Sequence, residues 1–225
     1  YNILKKIFFL GFPSALQMFF EVLFFVAAIW MSGLLGKNEQ ASNQIALNLS
    51  SITFMVAMGF SVVAMIRVGE MFGKNDVISL KKIAYSLFFI ILLFDLFFCL
   101  MFLLFNEYLP WIYLSKTGDK SISDVFQVIE ISSKLLLISG VFQIFDGLQA
   151  VVLGALRGIQ DVFIPTLLIF IAYILVGLPT SYYLGLNTHL GVVGIWIGLL
   201  VGLMSSSIFL LLRFNYDLNF IEKKK

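Results

Sequence analysis

Apolar residues in this chain run in long blocks instead of alternating with polar ones, and charged side chains gather at the block ends. Six blocks stand out, at residues 7–35, 43–66, 83–105, 128–155, 163–186 and 190–212. Each is long enough to cross a hydrocarbon core of ~30 Å, which takes about 20 helical residues. Lipid offers no partner for free backbone groups, so blocks of this length predict six transmembrane helices and not an open sheet. The longest outer connection, residues 106–127, is rich in Ser, Asp and Lys and reads as a surface loop with one interfacial turn.

Composition agrees. Hydrophobic residues make up 60% of the chain, charged residues 12%, and mean hydropathy is +1.01, against about 25% charge in a soluble domain. The net charge of +2 is explained by topology. With the N-terminus cytoplasmic, eleven basic residues fall inside: Lys5, Lys6, Arg67, Lys74, Lys81, Lys82, Arg157, Arg213, Lys223, Lys224 and Lys225. Three fall outside, Lys37, Lys116 and Lys120, and Lys134 opens the fourth block. The positive-inside rule then predicts that both termini are cytoplasmic, and the expected location is the cell inner (plasma) membrane, crossed several times. The lipid bilayer is the expected environment, and no nucleic-acid partner is expected.

Few kinds of chemistry remain. Cys99 is the single cysteine and lies in an apolar block, where packing is its expected role. His189, the single histidine, sits in a short outer turn. One of each cannot build a conventional zinc site, and no phosphate-cradling glycine loop supports ATP-driven transport. No nucleophile is paired with a base, so an enzyme is not expected, and neither is a cofactor. The chain opens at Tyr1 with no initiator Met and no signal-peptide pattern, so it is expected to belong to something longer.

Three carboxylates interrupt the blocks at central depth. Glu21 is 15 residues from Lys6 and 16 from Lys37, roughly 22–24 Å of helix from either. Asp146 lies 11 residues before Arg157, and Asp95 lies 13 after Lys82. Ionisable residues at such depth are default candidates for ion and proton pathways, the alternative being a structural hydrogen bond to a neighbouring helix. Helical faces rank them. Around Asp146 the face reads Ser139, Phe142, Gln143, Gln149, Ala150 and Gly154, a polar and small-residue stripe. Around Glu21 it is mixed and polar toward Ser14 and Gln17, whereas around Asp95 it is Phe88, Ile91, Leu92, Phe98, Cys99 and Phe102. Asp95 therefore ranks last and reads as structural.

Prolines and glycines add shape. Pro13 marks a kink or the start of its helix, Pro165 is tolerated at a helix start, and Pro179 should bend the fifth helix. Gly194, Gly198, Gly202 and Ser206 recur every four residues and predict backbone-close packing of the last helix. Arg67 and Arg157 are read as topology anchors or partners for Glu70 and Asp161. Asn43, Gln44 and Asn48 are read as caps or interhelical hydrogen-bonding groups.

The segment "ASNQIALNLSSITFMVAMGFSVVAMIRVGEMFGK", with "FFE" before it and "FQIFDGLQAVVLGALRGIQD" and "GLPTSYYLG…GVVGIWIGLLVGL" after it, resembles the multidrug and toxic compound extrusion (MATE) transporters of the NorM-type branch. The resemblance covers essentially the whole chain. It implies an all-α integral membrane fold in which residues 1–225 form the C-terminal six-helix bundle, one lobe of a twelve-helix MATE fold. The N-terminal six-helix lobe would be the partner. It further implies a cation-binding site at Glu21 and Asp146 able to take Na⁺. On the residues' own reading, Gln17, Phe142, Gln143 and Gln149 are candidate cavity lining, the glutamines being equally readable as hydrogen-bonding glue between helices. Phe142 stands where relatives can carry a tyrosine, so a hydroxyl ligand is missing and the choice between Na⁺ and H⁺ stays open.

The implied activity is cation-coupled antiport, with Na⁺ or H⁺ driving export of small cationic or amphiphilic drugs by alternating access. One alternative is a lipid-linked oligosaccharide flippase of the same superfamily, which would be expected to show several Arg or Lys at central depth. Another is a non-coupled channel or scaffold.

Overall fold

The computed structural model describes residues 2–114 and 122–223. Six helices of membrane-crossing length make it up: α1 (Asn2–Leu35), α2 (Lys37–Gly73), α3 (Val77–Phe105), α4 (Ile122–Gly158), α5 (Phe163–Leu186) and α6 (Val192–Lys223). No strand occurs among the described residues. Every predicted span is present. Several helices run on past the predicted limits because apolar blocks mark only the lipid-crossing length, while the polar flanks continue the same backbone ladder. The described part of the connection between α3 and α4 carries a 3₁₀ turn at Leu109–Ile112. Lys116, Lys120, Lys224 and Lys225 lie outside the described residues.

α4 is the central helix. It packs against α2, α3 and α6, and 67% of its most apolar window is buried, against 22% for α1. Glycines seven residues apart explain the close approach. A Cβ at Gly140 would press on the Cys99 carbonyl at 3.3 Å, one at Gly147 would collide with the Asp95 carboxyl, and one at Gly154 would collide with the Ser61 backbone. Lipid tails are as apolar as the side chains, so such contact and interhelical hydrogen bonds do the holding. Ser50 and Ser139 share a 2.6 Å bond, and Ser61 Oγ donates to the Ala150 carbonyl at 2.6 Å.

The same device joins α5 to α6. Cβ atoms at Gly194, Gly198 and Gly202 would meet Leu184, Ser181 and Gly177 on α5, and Ser206 is fully buried. Pro179 is reached through a π-helical segment, Ile171–Gly177, whose last turn closes with Leu178 N–H on the Tyr173 carbonyl. The widened turn ends just before the residue that has no N–H to give, which is how this helix accommodates its proline. α1 continues unbroken through Pro13. Asn43 caps nothing, because α2 already begins at Lys37. Its Oδ1 accepts from Trp196 Nε1 at 2.8 Å and ties α2 to α6.

Two turns at one end share a design. Gly73-Lys74-Asn75-Asp76 and Gly158-Ile159-Gln160-Asp161 each put their third residue in the left-handed region, with φ of 56° at Asn75 and 65° at Gln160. In each, the Asp N–H closes on the carbonyl five residues back, Met71 or Leu156, at 3.0 Å. At the opposite end Gly36, with φ of 151°, is the single residue between α1 and α2. The Arg67–Glu70 pair forms at 2.8 Å. Asp161, however, pairs with Arg213 at 2.7 Å and not with Arg157.

Candidate functional site

Glu21 and Asp146 line one cavity of about 340 Å³ at the junction of α1, α2 and α4. Glu21 is half-buried on α1, and Asp146 is buried on α4. α1 adds the apolar wall of Met18, Val22, Phe25, Val26 and Ile29. Phe142 lies one helical turn before Asp146 and closes the floor, edge-on to Phe25 at 6.3 Å and to Trp196 at 5.4 Å between ring centroids. Of the predicted lining residues, Phe142 alone faces this cavity.

The predicted glutamines are placed elsewhere. Gln17 is buried, but its amide donates to the Val162 carbonyl at 2.9 Å and to Thr166 Oγ1 at 3.0 Å. Its Oε1 accepts from Arg157 Nε at 3.0 Å and Nη2 at 2.9 Å. Arg157 thus turns inward and, with Gln17, cross-links α1, α4 and the start of α5. Gln149 donates to the Tyr173 hydroxyl, on the α5 side of α4. Gln143 faces a separate cleft with Asp95. Replacing Gln17 by leucine would leave a part-buried guanidinium without its acceptor, a loss of about 2 kcal/mol. Thermal unfolding in detergent should register that loss for Gln17→Leu and a much smaller one for Gln17→Glu, which keeps an acceptor.

The missed lining residues come from α2. Gln44, Asn48 and Ser51 face the cavity across from the acids, with Leu47, Ser50 and Phe54 between them. Their spacing of four and then three residues puts them on one helical face, so the signal lay in "NQIALNLSS". These side chains offer oxygen ligands where Phe142 offers none. The lining includes no Arg or Lys. Among the described residues, no three of His, Cys, Asp and Glu stand close enough together to hold a metal ion.

The cavity walls thus have two carboxylates, neutral oxygens opposite them and an aromatic floor. This arrangement is chemically suited to a cation. A family profile described as MatE matches residues 13–183. The chain belongs to the MatE family. Multidrug resistance protein NorM of Photobacterium profundum is 35% identical over 218 residues, covering 94% of this chain and 45% of the relative. Multidrug resistance protein MdtK of Yersinia pseudotuberculosis is 34% identical over 220 residues, covering 96% of this chain and 46% of the relative. The chain therefore spans about half the length of the curated relatives it matches.

Solved MATE structures share the fold. A MATE in the bent conformation superposes with a TM-score of 0.87 at 18% identity, over all of this chain and 48% of that one. An outward-facing multidrug resistance MATE family transporter gives 0.85 at 20% identity, over 99% and 48%. The bundle is one lobe of the MATE fold, an all-α integral membrane architecture.

Proposed function

We propose that this lobe supplies the cation site of a drug antiporter, in which Na⁺ or H⁺ moving down its gradient expels a small organic cation. One observation carries the reading: the two mid-depth carboxylates of α1 and α4 open on the same cavity. A carboxylate removed from water demands a positive partner. An inorganic cation, a proton or a cationic drug can each meet that demand, and competition for the same acids couples their fluxes.

Alternating access requires a second wall. The cavity lies partly open at the side of the lobe, where Met18, Val22 and Val26 are exposed, and an N-terminal six-helix lobe is the partner that would close it by rocking. In this reading the end with Arg67, Lys74, Arg157 and Arg213 faces the cytoplasm, and both termini lie on that side. One charge moving through 100 mV supplies ~2.3 kcal/mol, enough for a concentration ratio of roughly fifty at about 1.4 kcal/mol per tenfold. A pyrophosphate-bearing lipid would need basic groups, and the lining has none.

The test uses the full-length protein in proteoliposomes loaded with a fluorescent organic cation, under an imposed Na⁺ or H⁺ gradient. Efflux should accelerate at least tenfold under one of the two gradients, and that gradient names the coupling ion. An efflux rate indifferent to both gradients would overturn antiport.

A further inference from the structure

Asp95 occupies a place its own helix does not explain. Its face of α3 is made of Phe88, Ile91, Phe98, Cys99 and Phe102, yet Asp95 is only 3% exposed. What it meets comes from the neighbours: Thr53, Phe54 and Ala57 of α2, and Gln143, Asp146 and Gly147 of α4 line one narrow cleft with it. Gly147 permits the approach, because a Cβ there would collide with the Asp95 carboxyl. The carboxyl consequently rests against the α4 backbone one residue from Asp146.

Four polar atoms around this cleft are buried without a hydrogen-bond partner: Asp95 Oδ2, Asp146 Oδ1, and both Oε1 and Nε2 of Gln143. Gln143 is 3% exposed and Asp146 5%. Native folds leave few such atoms unpaired, so a cluster around one cleft points to a ligand between them. Water is a poor candidate, since the cleft has no room for a water-sized sphere. No Arg or Lys lines it. Three of these atoms, Asp95 Oδ2, Asp146 Oδ1 and Gln143 Oε1, are hard oxygens suited to a hard cation, while Gln143 Nε2 is a donor that a cation does not satisfy. Mg²⁺ keeps its waters, and Ca²⁺ takes roughly 6–8 oxygens, so neither suits this space. The three acids also fail to converge as one metal cluster, which divides them into two places that share Asp146.

The geometry points to Asp95, Gln143 and Asp146 as an inner subsite for a dehydrated monovalent cation of sodium's class, one step deeper than the Glu21 cavity. The inference rests on the antiport reading for the role of Asp146 and adds a division of labour to it. An organic cation can occupy only the larger cavity, whereas a bare ion can pass Asp146 and settle against Asp95. Ion and drug then exclude each other through one shared carboxylate without occupying the same space.

The experiment is calorimetric titration of the full-length protein in detergent with NaCl, LiCl and KCl at constant ionic strength, alongside binding of a fluorescent organic cation in the absence of Na⁺. Wild type should bind Na⁺, with K⁺ at least tenfold weaker. Asp95→Asn and Asp95→Leu should each raise half-saturating Na⁺ at least tenfold and leave organic-cation binding within twofold. Unchanged Na⁺ affinity in both variants overturns the subsite, as does an equal loss of Na⁺ and organic-cation binding, which would mark Asp95 as structural. A wild type that binds no Na⁺ also overturns it. In each of these cases antiport survives if a gradient still drives efflux and Asp146→Asn abolishes it. Failure of that efflux test removes the antiport reading, while the Na⁺ titration still decides the subsite.

Discussion

Asp146→Asn should bring gradient-driven efflux of an organic cation down to the leak rate of empty vesicles. Asparagine keeps the size and one oxygen of aspartate, so the packing of α4 survives the change and the charge alone is lost. Two unit charges at 4 Å interact by about 4 kcal/mol at an effective dielectric of 20. At about 1.4 kcal/mol per tenfold, that exceeds two decades in cation affinity. Asp146 is 5% exposed, so bulk water offers no substitute. The same proteoliposomes should still hold their gradient, and the purified variant should keep its unfolding temperature. Those controls separate loss of the site from loss of the fold. Glu21→Gln should weaken efflux less, because Glu21 is half-buried and water in the open cavity can take over part of its role. Retention of full efflux by Asp146→Asn would remove Asp146 from the mechanism.

The sequence and the structure part company over which side chains share a face and which share a neighbour. Helix number and order were readable because lipid forces every spanning block to satisfy its own backbone, and hydropathy records that constraint directly. The inward stripe of α4 was readable for a related reason. Ser139, Phe142, Gln143, Asp146, Gln149 and Ala150 are all buried, as their shared polarity in an apolar helix implied. The surroundings of Asp95 were not readable, because the periodicity of one helix reports only that helix. Its polar company stands on α2 and α4, and the trace it leaves is Gly147, a residue whose spacing from Gly140 and Gly154 marks where α3 and α2 press against α4. For Gln17 the sequence left cavity lining and glue between helices equally open, and the structure shows the glue. Gln17 lies one turn from Glu21, yet its amide is taken up by Val162, Thr166 and Arg157. Long-range hydrogen bonds of this kind leave no local signal.

Gly198→Val should cost more stability than any single hydrogen bond in the bundle. A Cβ at Gly198 would collide with the backbone and hydroxyl of Ser181 on α5, and that hydroxyl is already committed to the Ile195 carbonyl at 3.1 Å. The obstacle is main chain on both sides, so no rotamer change relieves it and the two helices have to separate. Overpacking a well-packed core typically costs about 1–3 kcal/mol. Here the separation would also loosen the neighbouring Gly194 and Gly202 contacts, so about 4 kcal/mol is expected, in the range reserved for backbone-level conflicts. Between membrane helices there is little hydrophobic driving force to offset the loss. Unfolding in mixed micelles should show Gly198→Val destabilised by that amount and Gly198→Ala by less. Gly11→Ala should not destabilise and should gain about 0.5–1 kcal/mol, because the position is inside α1 and a Cβ there meets nothing within 4 Å. Equal stability of Gly198→Val and wild type would mean that α5 and α6 are not joined through this glycine stripe. The π segment of α5 would then lose its support as well, since Gly177 within it is held against Gly202 of the same stripe.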